Sequence, residues 1–280
     1  MSKRTVKSNN KRIANKTIDN IKKIKKVIPL ISEYYAEDSF VNEKPLVEKL
    51  SKLLKPNQWL RVEPEPREYN TKMYWKQSTA FPKPNGIWAS KGEWHLPKDK
   101  YLTLLEVDYS RLLVLVNKED YIAFEKKYCN LEKFSRLEKF SRIAKRISSV
   151  TKYNTNNSSY TKMIKQLKNK TSSNNLNKKV CYTSINWAKV AIDYDGVVMV
   201  PNPKPYFPID SNNLYSQYNH IWLTMYDVSS LVVWNQNINT PITKYKSLGK
   251  IQDIHDKAKK DKKTFETTLL ETVKQGIEQI

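Results

Sequence analysis

The 280-residue sequence predicts an α+β domain. Two observations carry that expectation. Apolar, aromatic segments of strand character lie before and after one polar, lysine-rich stretch, and helical periodicity marks both ends of the chain. A chain of this length can hold one substantial domain with extensions.

The elements follow in order. Residues 1–16 have the polar, basic composition of a disordered arm. From Ile18, the apolar positions Ile21, Ile24, Val27, Ile28 and Ile31 recur at helical spacing, with Pro29 interrupting them. Leu46, Val47, Leu50, Leu53 and Leu54 predict a second helix, ended by Pro56. Residues 57–100, rich in Trp, Tyr and Pro, read as short strands and ordered loops. YLTLLEVDYSRLLVLV (101–116) is the strongest strand signal, as two consecutive strands or one bent strand. EDYIAFEKKY (119–128) reads as a helix packing Tyr121, Phe124 and Tyr128.

The hexapeptide LEKFSR then occurs twice in tandem, at 131–136 and 137–142. Six residues match no common solenoid period, so this reads as a duplication in a tolerant segment. Asn, Ser, Thr and Lys dominate to residue 180, the composition of a flexible insert. Order resumes at VCYTSINWAKVAIDYDGVVMVP (180–201). There Ser184 or Asn186 caps a short helix carrying Trp187, Val190 and Ala191, Asp195-Gly196 makes a turn, and VVMVP is a buried strand. HIWLTMYDVSSLVVWN (220–235) supplies further strands. Phe265, Leu269, Leu270, Val273 and Ile277 mark a closing helix. The expected organisation is a basic N-terminal arm (1–28), a first half-domain (29–130), a basic insert (131–180), a second half-domain (181–245) and a C-terminal helix (246–280).

Charge follows these boundaries. The formal net charge is +22, with 42 Lys against 8 Arg. Residues 1–28 carry ten basic groups and one acid, residues 131–180 thirteen and two, and residues 244–263 eight and three. Those three segments exceed the total, so the remainder is slightly acidic. Such a distribution suits a globular body with polyanion-binding attachments. A reader of base edges would be expected to use more Arg, whose guanidinium forks onto guanine. Abundant Lys, Asn, Ile and Tyr are also what an AT-rich coding sequence produces.

Several classes are disfavoured. Cys129 and Cys181, the two cysteines, allow one disulfide and no disulfide framework. The apolar runs VIPLI and LLVLV are too short to span a bilayer, and no signal-peptide core follows the basic start. The expectation is an intracellular protein without a membrane partner. No Gly-rich phosphate loop or Gly-x-Ser-x-Gly elbow is present. His95, His220 and His255 show no metal-ligand spacing, so the expectation is no metal.

FPKPNGIWASKGEW (81–94) concentrates two of the chain's five glycines with two tryptophans. Read from the residues alone, Pro-x-Gly is a turn signal and Trp88 and Trp94 are core.

The stretch from Lys83 to Ser90, then Gly92 and Trp94, resembles an opening block of ADP-ribosyltransferase-like proteins of giant DNA viruses and intracellular bacteria. INWAKVAIDYDGVVMVP (185–201) is similar to that family's YDG block. YDVSSLVVWN (226–235) resembles its terminal WDVxSGCIWN block, with Ser230-Leu231 in place of Gly-Cys. The similarity covers roughly residues 72–128 and 181–236. It implies an ADP-ribosyltransferase-like sheet core and NAD as substrate, with a protein or nucleic acid as target. Gly86, Trp88, Ser90, Trp94 and Gly196 would bind NAD, and Asp195 with Ser90 would be catalytic. Cleaving the nicotinamide–ribose bond needs a carboxylate facing the developing oxocarbenium charge, a role for which Glu106, Asp108 and Asp227 compete. The sequence has no Gln-x-Glu pair, and an inactive relative stays open. The rival expectation is a non-enzymatic nucleic-acid-binding or virion-associated protein, acting through its lysine-rich arm and insert.

Overall fold

A computed structural model describes residues 16–25, 44–79, 83–92, 95–129, 185–199, 229–236 and 241–280. The insert at 131–180, the tandem hexapeptide within it, and the segment 200–228 lie outside these. The elements are α1 (16–25), α2 (Lys44–Leu53), β1 (Gln58–Glu63), β2 (Met73–Tyr74), β3 (Ile87–Ala89), β4 (Tyr101–Val107), β5 (Leu112–Leu115), α3 (Lys118–Tyr128), α4 (Trp187–Asp193), β6 (Gly196–Met199), β7 (Ser230–Val233), β8 (Asn235–Gln236), β9 (Ile242–Lys250), α5 (Ile251–Lys260) and α6 (Phe265–Gln279).

Strand alternation dictates four layers. On β4, Leu102 and Leu104 face one side while Leu105 and Val107 face the other, and antiparallel pairing sets Leu60 opposite Leu104 and Trp59 opposite Leu105. The sheet β1-β4-β9 is therefore apolar on both faces. Its inner face packs Trp59, Leu105 and Val107 against Ile87, Val114, Val198 and Leu231 of a second sheet, β3-β7-β6-β5. Its outer face is covered by α2, α5 and α6 through Leu50, Ile251, Ile254, Leu269 and Val273. The second sheet's outer face, with Leu115, Val197 and Val232, is covered by α3 and α4 through Tyr121, Phe124, Trp187 and Val190. β5 and β6 are its one parallel pair, and their near-continuous apolar runs are what burial on both faces requires. The mixed helices and sheets agree with the α+β expectation.

Local chemistry starts the helices. Asn117 accepts a bond from the Asp120 N–H at 2.8 Å, with Glu119 and Asp120 in the first turn and Lys126 and Lys127 in the last, so α3 is capped and aligned with its dipole. Asn186 caps α4 by accepting from Lys189 N–H at 3.0 Å.

Four expectations change. YLTLLEVDYSRLLVLV is two strands, one of the two forms expected, but they belong to different sheets, because the 3₁₀ turn Tyr109–Arg111 carries the chain from one to the other. The C-terminal region is not one helix from 246: β9 runs to Lys250, and α5 and α6 follow. ITKYKSLGK hides that strand because it pairs along one edge only, where the exposed Lys244 and the partly exposed Lys246 and Lys250 protect against edge-to-edge association. The arm predicted as an appendage over 1–28 contains a docked helix. Ile24 is fully buried in the inter-sheet core, and Asn20 Nδ2 donates to the Tyr109 carbonyl at 3.1 Å. Asp195-Gly196 is not a hairpin turn, since it leads from α4 into β6, which runs parallel to β5.

The described residues on either side of the insert meet. Cys129 and Ile185 form an antiparallel bridge, and Asn186 N–H donates to the Tyr128 carbonyl at 2.9 Å. Cys129 is disulfide-bonded.

Candidate functional site

The stretch that carried the NAD expectation forms β3 and its flanks. Gly86 sits at φ +155°, where a Cβ would run into the Val233 backbone carbonyl. Its glycine is therefore demanded by the close pairing of β3 with β7, whatever else it does. Gln77 ties the preceding turn in place: its Nε2 donates to the carbonyls of Trp75 and Asn85, both at 2.8 Å, and its Oε1 accepts from Asn85 N–H at 3.0 Å. Trp88 is half-buried against the α3/α4 layer, with the Lys83 ammonium 5.4 Å from its ring centroid. Ser90 is buried. Its backbone exchanges two 2.9 Å hydrogen bonds with Leu60, and its hydroxyl accepts from Gly92 N–H at 3.2 Å. That link stitches the two sheets together. Trp94 lies outside the described residues.

Asp195 and Gly196 open β6. A Cβ on Gly196 would meet the Val232 carbonyl and, at 2.7 Å, Leu112 Cδ2, so this glycine too is set by strand packing. The Asp195 side chain is 3% exposed and accepts both Arg111 Nε and, at 3.2 Å, an Arg111 terminal nitrogen. Asn235 Nδ2 donates to it at 2.9 Å. The Asp195 carbonyl accepts from Trp234 and Asn235 N–H, and its own N–H donates to the Arg111 carbonyl. Hydrogen bonding to Asp195 holds the Arg111 guanidinium above its ordinary pKa. The carboxylate thus clamps the entries to β5, β6 and β8.

The register decides which candidates converge. Ile87, Val233 and Gly196 lie in one cross-strand row, so Gly86, Asp195, Gly196 and the neighbouring Trp88 share one end of the second sheet. Ser90 lies toward the other end, paired beyond the Ala89–Leu231–Val198 row. Four residues along and two strands across separate it from Asp195, roughly 13 Å by roughly 10 Å. The expected pairing of Asp195 with Ser90 in one cleft is therefore corrected: one is an ion-paired anchor and the other a buried sheet connector.

Of the competing carboxylates, Glu106 lies 3.6 Å from Lys244. Asp108 accepts from Ser110 N–H and Oγ, at 2.8 and 2.6 Å, and from Thr17 Oγ1 at 3.2 Å. Asp227 is outside the described residues. Two buried ionic groups escaped sequence reasoning. Glu63 accepts from Tyr69 Oη (2.7 Å), Thr103 Oγ1 (2.6 Å) and Arg61 Nε (3.0 Å). Burial pushes the Tyr69 phenol well above its ordinary pKa, so it remains a donor. Lys91, fully buried, donates to the carbonyls of Lys55, Pro56 and Gln58 and sits 4.3 Å from the Trp59 ring centroid. Only register and a partner 33 residues away in sequence could have revealed that cage. Both clusters use their polar atoms internally, as buried charge requires.

A basic surface forms where α5 joins β9. Gln252 and Ile251 N–H donate to the Lys98 and Lys100 carbonyls at 3.1 and 2.9 Å, fastening residues 98–100 to the start of α5. Lys257, Lys259, Lys260, Lys262 and Lys263 follow as exposed residues, and Lys244, Lys246 and Lys250 precede them on β9. Lys263 engages Glu271 at 2.7 Å. On the same surface the His255 ring lies 3.9 Å from that of Phe265, 9° from parallel. Partial burial first, then Lys98 and Lys259, lower the His255 pKa, while Asp256 opposes them.

Among the described residues no group of three His, Cys, Asp or Glu side chains could hold a metal ion. No described helix is long and apolar enough to cross a membrane. No protein-family model, curated protein or solved structure matches the chain.

Proposed function

We propose that this protein binds polyanions, nucleic acid foremost, through the lysine surface of β9 and α5. The observation that carries this is the run of eight lysines over 244–263 against three acids, on a strand and helix anchored by a buried apolar face. Ammonium groups on a rigid element neutralise phosphates without reading bases, so binding is steep in salt and weak in sequence preference. Fluorescence anisotropy with unrelated nucleic acids across a salt series tests this. Each phosphate neutralised on duplex DNA contributes about −0.9 to the log–log slope. Replacing Lys257 and Lys260 by Glu should flatten it. A wild-type slope near zero, or a strong preference for one sequence, refutes the reading.

NAD-dependent ADP-ribosyl transfer to a protein or nucleic acid is the second reading. Gly86, Trp88, Asp195 and Gly196 at one end of one sheet favour it, alongside the motif resemblance. Against it stand the ion-paired Asp195 and the distant Ser90. NAD at ~100 times its dissociation constant would add about 2.7 kcal/mol of stability. No thermal shift at millimolar NAD would remove this reading.

A further inference from the structure

The lysine surface contains one feature that phosphate neutralisation does not use, the stacked pair of His255 and Phe265. Phe265, the first residue of α6, packs on the core beneath the helical layer, and His255 of α5 lies over it. Both rings are partly exposed. His255 and Lys259 are one turn apart on α5, so they share a stripe. Lys98 reaches the same place from the loop that Gln252 N–H fastens to the helix. An aromatic ring is therefore backed by a second ring and lies within reach of the positive charges of Lys98 and Lys259.

Resting on the polyanion reading above, we infer that this surface takes single-stranded nucleic acid, with an unpaired base stacked on His255 and its flanking phosphates on Lys98 and Lys259. Duplex DNA keeps its base faces inside the helix and can offer this surface only phosphates. A single strand offers both, and base–aromatic stacking is tolerant of sequence. The preorganised His255–Phe265 stack reduces the ordering that binding requires. The groups facing the imidazole are Lys98 from the loop, Lys259 and Asp256 from α5, and the uncharged Phe265 ring from α6. A bound phosphate adds negative charge beside the two lysines, so protonation of His255 becomes easier and single-strand binding strengthens as pH falls through the imidazole's titration.

The test compares a mixed-sequence 20-nucleotide single strand with its duplex, by anisotropy at fixed salt, for the full-length protein and two variants. His255→Ala removes ring and charge; His255→Tyr keeps a ring and removes the charge. Circular dichroism melts establish that both are folded. The expected result is a loss of about tenfold in single-strand affinity for His255→Ala, little change on duplex, and recovery in His255→Tyr. Equal losses on both polymers, no loss on either, or failure of Tyr to restore binding overturns the inference while leaving polyanion binding intact. Absence of wild-type binding to both polymers overturns polyanion binding itself, and this inference with it.

Discussion

Replacing Asp195 by Asn separates a structural anchor from a catalytic carboxylate. The substitution conserves volume, removes the charge, and presents an amide N–H₂ where Arg111 or Asn235 now donates. Hydrogen bonds to a charged group contribute about 1.5–3 kcal/mol each. The Arg111 side chain is 52% exposed, so solvent screening reduces its share to about 1 kcal/mol. Asn235 adds about 1–2 kcal/mol from the buried side. The expected loss is about 2–3 kcal/mol, below the 3–5 typical of breaking a fully buried pair. At about 2–4 °C per kcal/mol, the melting temperature should fall by about 4–12 °C. Urea denaturation and thermal melts of wild type, Asp195→Asn, Arg111→Ala and the double variant provide the assay. The double-mutant cycle should show coupling of about 1 kcal/mol. A loss below about 0.5 kcal/mol in Asp195→Asn would refute the anchor argument and return this carboxylate to candidacy for chemistry.

Three further outcomes are expected. Gly196→Ala drives a Cβ into the Val232 carbonyl and Leu112; the backbone cannot yield as a side chain would, so chemical denaturation should report at least about 1–3 kcal/mol of destabilisation. Asn117→Ala removes the cap of α3 and should cost about 1 kcal/mol, with lost amide protection confined to the first turn of that helix. His255, whose pKa is lowered in the folded protein, binds protons more readily when the chain is unfolded; its contribution is intact above the unfolded value of about 6.5 and is lost as pH falls through and below it. The pH dependence of urea midpoints should therefore be shallower between pH 7 and 5 in His255→Ala than in wild type.

The helices were legible because their signals are local. EDYIAFEKKY carries its own charge order and apolar positions two residues after its cap, Asn117, and α4 has a cap and apolar positions of its own within a few residues. The buried strands were legible for a related reason: GVVM, SLVV and LLVL are apolar on both faces, and no exposed strand tolerates that. β9 was not legible, since an edge strand with lysines facing water has the composition of a loop. The assignment of β4 and β5 to separate sheets was equally hidden, because a three-residue turn changes the sheet without changing the apolar pattern.

By itself, then, the sequence determined the α+β class, most helices, the buried strands and the concentration of charge in a few segments. These depend on periodicity, caps and composition, which act over one or two turns of chain. Tertiary structure alone decided what each candidate side chain does. Asp195 became an anchor when β5, β6 and β8 brought Arg111 and Asn235 to it across 84 and 40 residues. Gly86 became a contact with β7, and Ser90 became the stitch between two sheets. His255 met Phe265 because α5 and α6 fold back on each other. Strand register and helix packing bring together residues that no local pattern links, and a side chain's chemistry depends on the partner that packing supplies.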